Sequence, residues 1–236
     1  MALQFRRASY AATHGTLVPI NVPGIRSPIF LRTATSDSQV FHQHFIAEEM
    51  GFPVSHTPEY ILDGGANIGL ASLFLATRFP GARIAAVEPE GGNFELLCRN
   101  TSAYPNITPI NAAIWSSDRS LYVHEGDDAG AWSYRVSSTT NAESPVVDGV
   151  TIPTLLRRLE WPKFDLIKLD IEGGEKEVFG SGPTGWLAQT SILAIEFHDR
   201  FVPGSTDAVM SAIDSDVWTQ ETYGEYTIFQ ARSHAP

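Results

Sequence analysis

The chain has 236 residues, 43% of them hydrophobic and 18% charged, which is typical of one globular domain with its own core. Sixteen lysines and arginines stand against 27 aspartates and glutamates, and the net charge of −11 disfavours non-specific binding to nucleic acid or to an anionic membrane. A local basic pocket remains compatible with this charge. The one cysteine, Cys98, excludes an intramolecular disulfide framework, and we expect it to pack as a small hydrophobic side chain.

The first 59 residues differ in pattern from the rest of the chain. Residues 1–10 lack the apolar core of a signal peptide, and no run of the chain approaches the roughly 18 apolar residues of a membrane-spanning helix. We therefore expect a cytoplasmic protein without membrane insertion. A strand-like start precedes a helix entry at residues 35–37 and a helix that carries Phe41 and Phe45. Residues 1–59 are predicted to form a cap on one structural unit, residues 60–236.

From residue 60 onward, short apolar runs alternate with helical patterns, which is the signature of repeated βα units. The fold class predicted is α/β, a Rossmann-like doubly wound and mostly parallel sheet with the N-terminal cap and an antiparallel closing hairpin. Residues 116–138 lack helical periodicity and are predicted to be an insertion or a β-excursion. Strands are predicted at 60–65, 82–90, 107–115, 164–175 and 190–199, with helices at 68–79, 92–104 and 151–161, around "EKEVFG" and before the closing hairpin.

A glycine-rich loop follows the first strand of this alternation, where open parallel sheets bind their ligands. Dinucleotides favour Gly-x-Gly-x-x-Gly, but this loop reads Gly64-x-Ala66-x-x-Gly69 and lacks the central glycine. An acid before such a loop, here Asp63, suits the cationic amine of S-adenosylmethionine, although aspartate is also common as a turn initiator. Glu88, at the tip of the second strand, can accept the ribose hydroxyls of either cofactor.

Lys168 and Asp170 alternate with apolar residues in "DLIKLDIEGGE", so they share one face of a central strand. Burying both charges at the end of such a strand is unfavourable unless they pair or take part in chemistry. A structural ion pair is the alternative interpretation.

Together these segments resemble the FkbM-type S-adenosylmethionine-dependent methyltransferases. The resemblance extends from "FLRTATSDSQVF" through "ILDGGANIGLAS", "AVEPEGGNFELLCRN", "INAAIW" and "DLIKLDIEGGE" to "ILAIEFH". This resemblance implies that residues 60–236 form a methyltransferase domain. Gly174 stands where the family usually has alanine, and residues 116–150 match poorly and are expected to carry substrate specificity. The cofactor-binding residues that it implies are Asp63, Gly64, Gly65, Asn67, Gly69, Glu88, Pro89, Asn93, Asn111 and Ala112.

The residues at the ends of the later strands suggest how an acceptor hydroxyl could lose its proton. Lys168, Asp170, Glu172 and His198 are the catalytic candidates. Asp170, Glu196 and His198 could also hold Mg²⁺ or another divalent cation, which would orient the hydroxyl and lower its pKa. His198 as a hydrogen-bonded core histidine is the alternative.

Members of the resembled family are mostly O-methyltransferases of natural products, sugars and glycolipids, without dependence on nucleic acid. The expected function is therefore O-methylation of a small-molecule or glycan acceptor, with the oligomeric state open. A nicotinamide-dependent oxidoreductase is an alternative, but it would need a pair such as Tyr-x-x-x-Lys, which the sequence lacks at usable spacing. A non-catalytic cofactor-binding module is disfavoured because it would not need the polar group of Lys168, Asp170, Glu172 and Glu175.

Overall fold

The computed structural model describes residues 13–125, 134–139 and 144–232. Strands in these ranges are β1 (Leu17–Ile20), β2 (Ile29–Arg32), β3 (Tyr60–Gly64), β4 (Arg83–Val87), β5 (Ile107–Ile110), β6 (Ala113–Ile114), β7 (Arg119–Glu125), β8 (Tyr134–Ser137), β9 (Val146–Val150), β10 (Leu166–Leu169), β11 (Ile192–Glu196), β12 (Trp218–Tyr223) and β13 (Tyr226–Ala231). Helices are α1 (Asp37–Phe45), α2 (Leu70–Arg78), α3 (Gly91–Thr101), α4 (Ile152–Leu159), α5 (Glu175–Gly180) and α6 (Ser205–Ala212), with 3-10 helices at Glu49–Gly51 and Gly185–Gln189.

A seven-stranded sheet in the order β12-β13-β11-β10-β3-β4-β5 forms the centre of the molecule. The five strands from β11 to β5 run parallel, and β13 is antiparallel to both of its neighbours. This confirms the predicted doubly wound sheet and its closing hairpin. The chain leaves β3 towards β4 and β5, then returns to add β10 and β11 on the other side. A ligand crevice is expected at that reversal, beyond the carboxyl ends of the strands.

The central strands are apolar on both faces because helices cover both sides of the sheet. Ile61 belongs to the hydrophobic cluster that β3 shares with α2, α3 and the N-terminal segment. Its neighbour Leu62 faces the opposite way, into the cluster formed with α4, α5 and α6. Both side chains have 0% exposure. No helix in the described ranges is both long enough and apolar enough to cross a bilayer.

The N-terminal segment packs on the first of these clusters. Strands β1 and β2 pair as an antiparallel hairpin, and Leu31 and Phe41 join the same cluster as Ile61. Helix α1 begins at the expected place, but its N-cap, Ser36, makes no capping hydrogen bond. Asp37 instead forms an ion pair with Arg32, with a 2.8 Å distance between Oδ1 and Nη2. The division of the chain after residue 59 stays a prediction.

The third strand predicted from the sequence, 107–115, is wrong as one element. The structure breaks it into β5, in the large sheet, and β6, which pairs with β9 in a second sheet of order β6-β9-β7-β8. Asn111 lies at the break, where its side-chain nitrogen donates to the carbonyl oxygens of Glu88 (2.9 Å) and Pro89 (3.2 Å). These contacts draw the chain off the sheet edge. The predicted β-excursion is confirmed in the residues described.

Candidate functional site

A cavity of about 710 Å³ lies beyond the carboxyl ends of β3, β4, β10 and β11, with α1 as one of its walls. Four of the predicted residues do not line this cavity: Asp63, Gly64 and Gly69, which are buried, and Asn111, which is exposed. The other predicted residues line the cavity: Gly65, Asn67, Glu88, Pro89, Asn93, Ala112, Lys168, Asp170, Glu172, Glu196 and His198.

The glycine loop fits tightly against the end of β10. Gly65 has a φ of +71°, and a Cβ atom there would lie 1.8 Å from the carbonyl oxygen of Asp170. Asn67 also takes a left-handed backbone, with φ +49°, the unusual angle that asparagine tolerates. Glycine at position 65 is therefore required by the neighbouring backbone, whether or not a ligand is bound.

Glu88 is buried at the tip of β4 and accepts hydrogen bonds from its surroundings. Its carboxylate accepts from the backbone N–H groups of Asn67 (2.8 Å) and Glu90 (3.0 Å), and from Asn93 Nδ2 (3.5 Å). Arg32 in turn donates to Asn93 Oδ1 at 2.7 Å, which ties the N-terminal hairpin to this group. Burial raises the pKa of Glu88 to about 7, although the three hydrogen bonds oppose that shift.

Lys168, which lines the cavity, forms a buried ion pair with Asp63, which lies behind it. They are directly opposite in the β10–β3 register, and Lys168 Nζ lies 3.2 Å from Asp63 Oδ1 and 3.4 Å from Asp170 Oδ2. The ammonium also donates to the Gly65 carbonyl oxygen at 2.8 Å. Burial opposes the charge on Lys168, but the charges of Asp63 and Asp170 raise its pKa above the usual value.

This geometry corrects the predicted position of Asp63. Its side chain is 0% exposed, with Oδ1 turned to Lys168 and Oδ2 accepting from Ser72 Oγ at 2.6 Å. The carboxylate lies below the cavity wall, and direct contact with a cofactor amine does not fit this arrangement. Asp63 instead forms an ion pair with Lys168, a partner not expected from the sequence, while the ion pair considered there, between Lys168 and Asp170, is also present.

His198 lies at the centre of four carboxylates. Its Nδ1 is 3.2 Å from Glu175 Oε1, and its Nε2 is 3.5 Å from Glu196 Oε1, 3.6 Å from Asp170 Oδ1 and 3.7 Å from Glu172 Oε2. Burial opposes the charge on the imidazole, but hydrogen bonds to Glu175 and Glu196 raise its pKa to about 11. Without a bound cation this pKa favours the imidazolium, which donates to the carboxylates, whereas as a metal ligand His198 would have to lose that proton. Its role in catalysis stays a prediction. Burial raises the pKa of Glu172 and of Glu196 to about 7.

The same residues include a possible set of metal ligands. Asp170, Glu196 and His198 each offer one ligand atom, and these atoms lie within 4.8 Å of one another. Two carboxylates and one imidazole suit Mg²⁺, Mn²⁺ or Zn²⁺. Glu175, 0% exposed, holds the far nitrogen of the imidazole, as carboxylates commonly do behind metal-binding histidines. The donor set therefore fits a divalent cation.

One wall of the cavity was not predicted from the sequence. Val40, Gln43 and His44 of α1 line it, together with Glu225 in the turn between β12 and β13. Val40 and His44 are four residues apart and so share a helix face. From the sequence, α1 was predicted by its aromatic residues, Phe41 and Phe45. Periodicity could have shown a second face, but not that this face lies against a cavity.

Comparison with known proteins gives the following matches. The family described as "Methyltransferase FkbM domain" matches residues 63–218. The hexuronic acid methyltransferase AglP of Haloferax volcanii is 25% identical over 154 residues, 65% of this chain and 62% of AglP. The methyltransferase sdnD of Sordaria araneosa is 26% identical over 151 residues, with coverage of 50% of this chain and 58% of sdnD. The chain thus spans about three fifths of the length of these curated relatives. The solved structure of M. jannaschii TYW2 in complex with AdoMet is similar to this chain with 13% sequence identity and a TM-score of 0.46, and the match covers 94% of this chain and 89% of TYW2.

Proposed function

The chain belongs to the FkbM methyltransferase family, and from this premise we propose that it transfers the methyl group of S-adenosylmethionine to a hydroxyl group. The acceptor class proposed is a small natural product, a sugar or a glycolipid. The observation that carries this proposal is that one cavity is lined both by Glu88, at the end of β4, and by carboxylates around His198, beyond β10 and β11. A cofactor and an acceptor can therefore meet inside one space.

The cofactor is proposed to lie along the carboxyl ends of β5, β4 and β3. Glu88 would accept hydrogen bonds from the ribose hydroxyls, with Pro89 and Ala112 near the adenine. The methionine end would then lie over Gly65 and Asn67, towards β10. Asp63 contributes indirectly in this arrangement, because it fixes Lys168, whose ammonium binds the Gly65 carbonyl oxygen.

Methyl transfer would proceed as an in-line displacement. The acceptor oxygen attacks the methyl carbon, the carbon–sulfur bond breaks with its electrons left on sulfur, and S-adenosylhomocysteine leaves. The hydroxyl proton passes to a carboxylate of the His198 group. Asp170 and Glu196 are the best placed, with side chains 24% and 20% exposed, whereas Glu172 has 12% and Glu175 0%. His198 would hold these carboxylates in position.

We also propose a divalent cation at Asp170, Glu196 and His198. When bound, the cation would lower the pKa of the acceptor hydroxyl and orient it. The contribution of the chain is the buried Glu175, which fixes the imidazole orientation through Nδ1. Binding of Mn²⁺, followed by electron paramagnetic resonance without cofactor or acceptor, tests this part separately from turnover. Equal Mn²⁺ binding by the unchanged protein and by His198→Ala would contradict it.

Two features support this function over a nicotinamide-dependent oxidoreductase. Ala66 occupies the position of the central glycine in the dinucleotide loop, and it is 2% exposed. At the far end of the cavity, four carboxylates surround the His198 imidazole, and this arrangement is suited to removing a proton from a hydroxyl group. The name of AglP, a hexuronic acid methyltransferase, supports a sugar-like acceptor at the level of a proposal. Independence from nucleic acid stays a prediction from the net charge.

The proposal is tested first by calorimetry with S-adenosylmethionine, S-adenosylhomocysteine and NAD(P). We expect S-adenosylmethionine and S-adenosylhomocysteine to bind. Either ligand, at a concentration a hundred times its Kd, should raise the free energy of unfolding by about 2.7 kcal/mol. Labelled methyl transfer over a panel of sugars and hydroxylated natural products then identifies the acceptor. Tight NAD(P) binding without response to S-adenosylmethionine would refute the function.

A further inference from the structure

His44 is a buried side chain with one ring nitrogen, Nδ1, that has no hydrogen-bond partner among the described residues. It belongs to α1, is 3% exposed and lines the cavity. Leaving a buried polar group unpaired costs about 1–3 kcal/mol. Such a group at a cavity wall is explained if a bound ligand supplies the partner.

The position of His44 indicates which part of the ligand it meets. Its electrostatic neighbours are Lys168, Asp63 and Asp170, at the ends of β3 and β10. Glu88, the proposed ribose contact, lies on the other side of β3, at the tip of β4. The cofactor part next to His44 is therefore its amino-acid end, over the glycine loop.

The charges around His44 indicate the chemical group. The ammonium of Lys168 is held beside the loop, where it donates to the Gly65 carbonyl oxygen, and it attracts a carboxylate. Burial and the charge of Lys168 lower the pKa of His44 to about 4, so the imidazole is neutral near pH 7. A neutral N–H donor can bind a carboxylate without adding a further positive charge next to the sulfonium.

We propose that His44 donates a hydrogen bond to the carboxylate of the methionine end of S-adenosylmethionine. This inference rests on the proposed function, and it makes the N-terminal segment part of the cofactor site.

The test compares S-adenosylmethionine with decarboxylated S-adenosylmethionine, which lacks only that carboxylate. Calorimetry gives the Kd of both ligands for the unchanged protein and for His44→Leu. We expect the leucine variant to bind S-adenosylmethionine at least about tenfold more weakly, the range for a hydrogen bond to a charged group, and the decarboxylated ligand equally well. His56→Leu makes the same chemical change at an exposed histidine outside the cavity and should alter neither Kd.

Ligand-free stability separates this role from a structural one. Replacing an unpaired buried polar group with an apolar one should keep or raise the melting temperature of the ligand-free protein. If His44→Leu does not fold, His44→Asn and His44→Ala are compared instead. The asparagine variant keeps an N–H donor and should retain the preference for S-adenosylmethionine over the decarboxylated ligand. The alanine variant should lose this preference.

Three results would overturn the inference: an unchanged Kd for S-adenosylmethionine in His44→Leu, equal losses for both ligands, or loss of the preference in the asparagine variant. If the unchanged protein binds neither ligand, the proposed function itself fails, which is a distinct result.

Discussion

Cofactor affinity is expected to increase with pH through the titration of Glu88. The carboxylate is 4% exposed, and burial raises its pKa to about 7. Only the ionised form can accept hydrogen bonds from both ribose hydroxyls without a competing proton. With that pKa, about one carboxylate in eleven is ionised at pH 6 and about ten in eleven at pH 8. Kd should therefore fall about tenfold across this interval, equivalent to about 1.4 kcal/mol of binding free energy.

The assay is calorimetry at several pH values with 5′-methylthioadenosine, which keeps the adenosine and lacks the titrating amine and carboxylate of the methionine end. Glu88→Gln, which cannot ionise, should give an affinity that hardly changes between pH 6 and pH 8. Glu88→Ala should weaken binding of S-adenosylmethionine at pH 8 by roughly 1.5–3 kcal/mol, the range for hydrogen bonds to a charged group. Circular dichroism confirms that both variants are folded.

Two results would refute this reasoning. If the pH dependence of the unchanged protein equals that of Glu88→Gln, another group controls affinity. If Glu88→Ala binds the cofactor normally, Glu88 only organises the turn through the N–H groups of Asn67 and Glu90.

Asp170→Asn and His198→Ala should bind S-adenosylmethionine nearly normally but transfer the methyl group about 10²- to 10⁴-fold more slowly, which labelled cofactor measures. Full activity of both variants in the presence of chelator would contradict the acid–base and metal assignments. In the unchanged protein, chelator should reduce the rate and added Mg²⁺ should restore it; an unaffected rate would exclude the cation from turnover. Gly65→Ala should lower the free energy of unfolding in urea by a few kcal/mol, since its Cβ would lie 1.8 Å from the Asp170 carbonyl oxygen, and a change under about 0.5 kcal/mol would contradict that contact. Arg32→Ala should weaken cofactor binding through the lost bond to Asn93 and leave turnover at saturating cofactor unchanged; an unchanged Kd would show that this bond is dispensable.

The parts of the site that could be predicted follow from parallel strands. Glu88, Asp170 and His198 each lie at or just after the end of an apolar run, and the carboxyl ends of parallel strands meet at one edge. Their common cavity is therefore implied by local patterns. The unusual backbone of Asn67 follows in the same way from residue type and turn position.

The parts that were missed depend on contacts between distant segments. The place of Asp63 below the cavity is set by the β3–β10 register, which puts Lys168 directly opposite it. The break between β5 and β6 depends on the bonds from Asn111 to two carbonyl groups of the β4 turn. The burial of His44 depends on how α1 packs against α2, the helix that follows the glycine loop, as the ring contact between Phe45 and Phe74 shows. No periodicity within one segment contains this information.

Helix α1, which forms one wall of the cavity, and Arg32, which donates to Asn93, lie before residue 63, where the family match begins. The match ends at Trp218, before β13, which lies between β11 and β12. A shortened protein that kept only the matched region would open the cofactor cleft on one side. It would also expose the hydrogen-bonding edge of Ile192–Glu196, a free parallel strand prone to intermolecular pairing. The recognisable sequence signature is thus smaller than the smallest piece expected to fold and bind, and domain boundaries for expression should be set by the sheet.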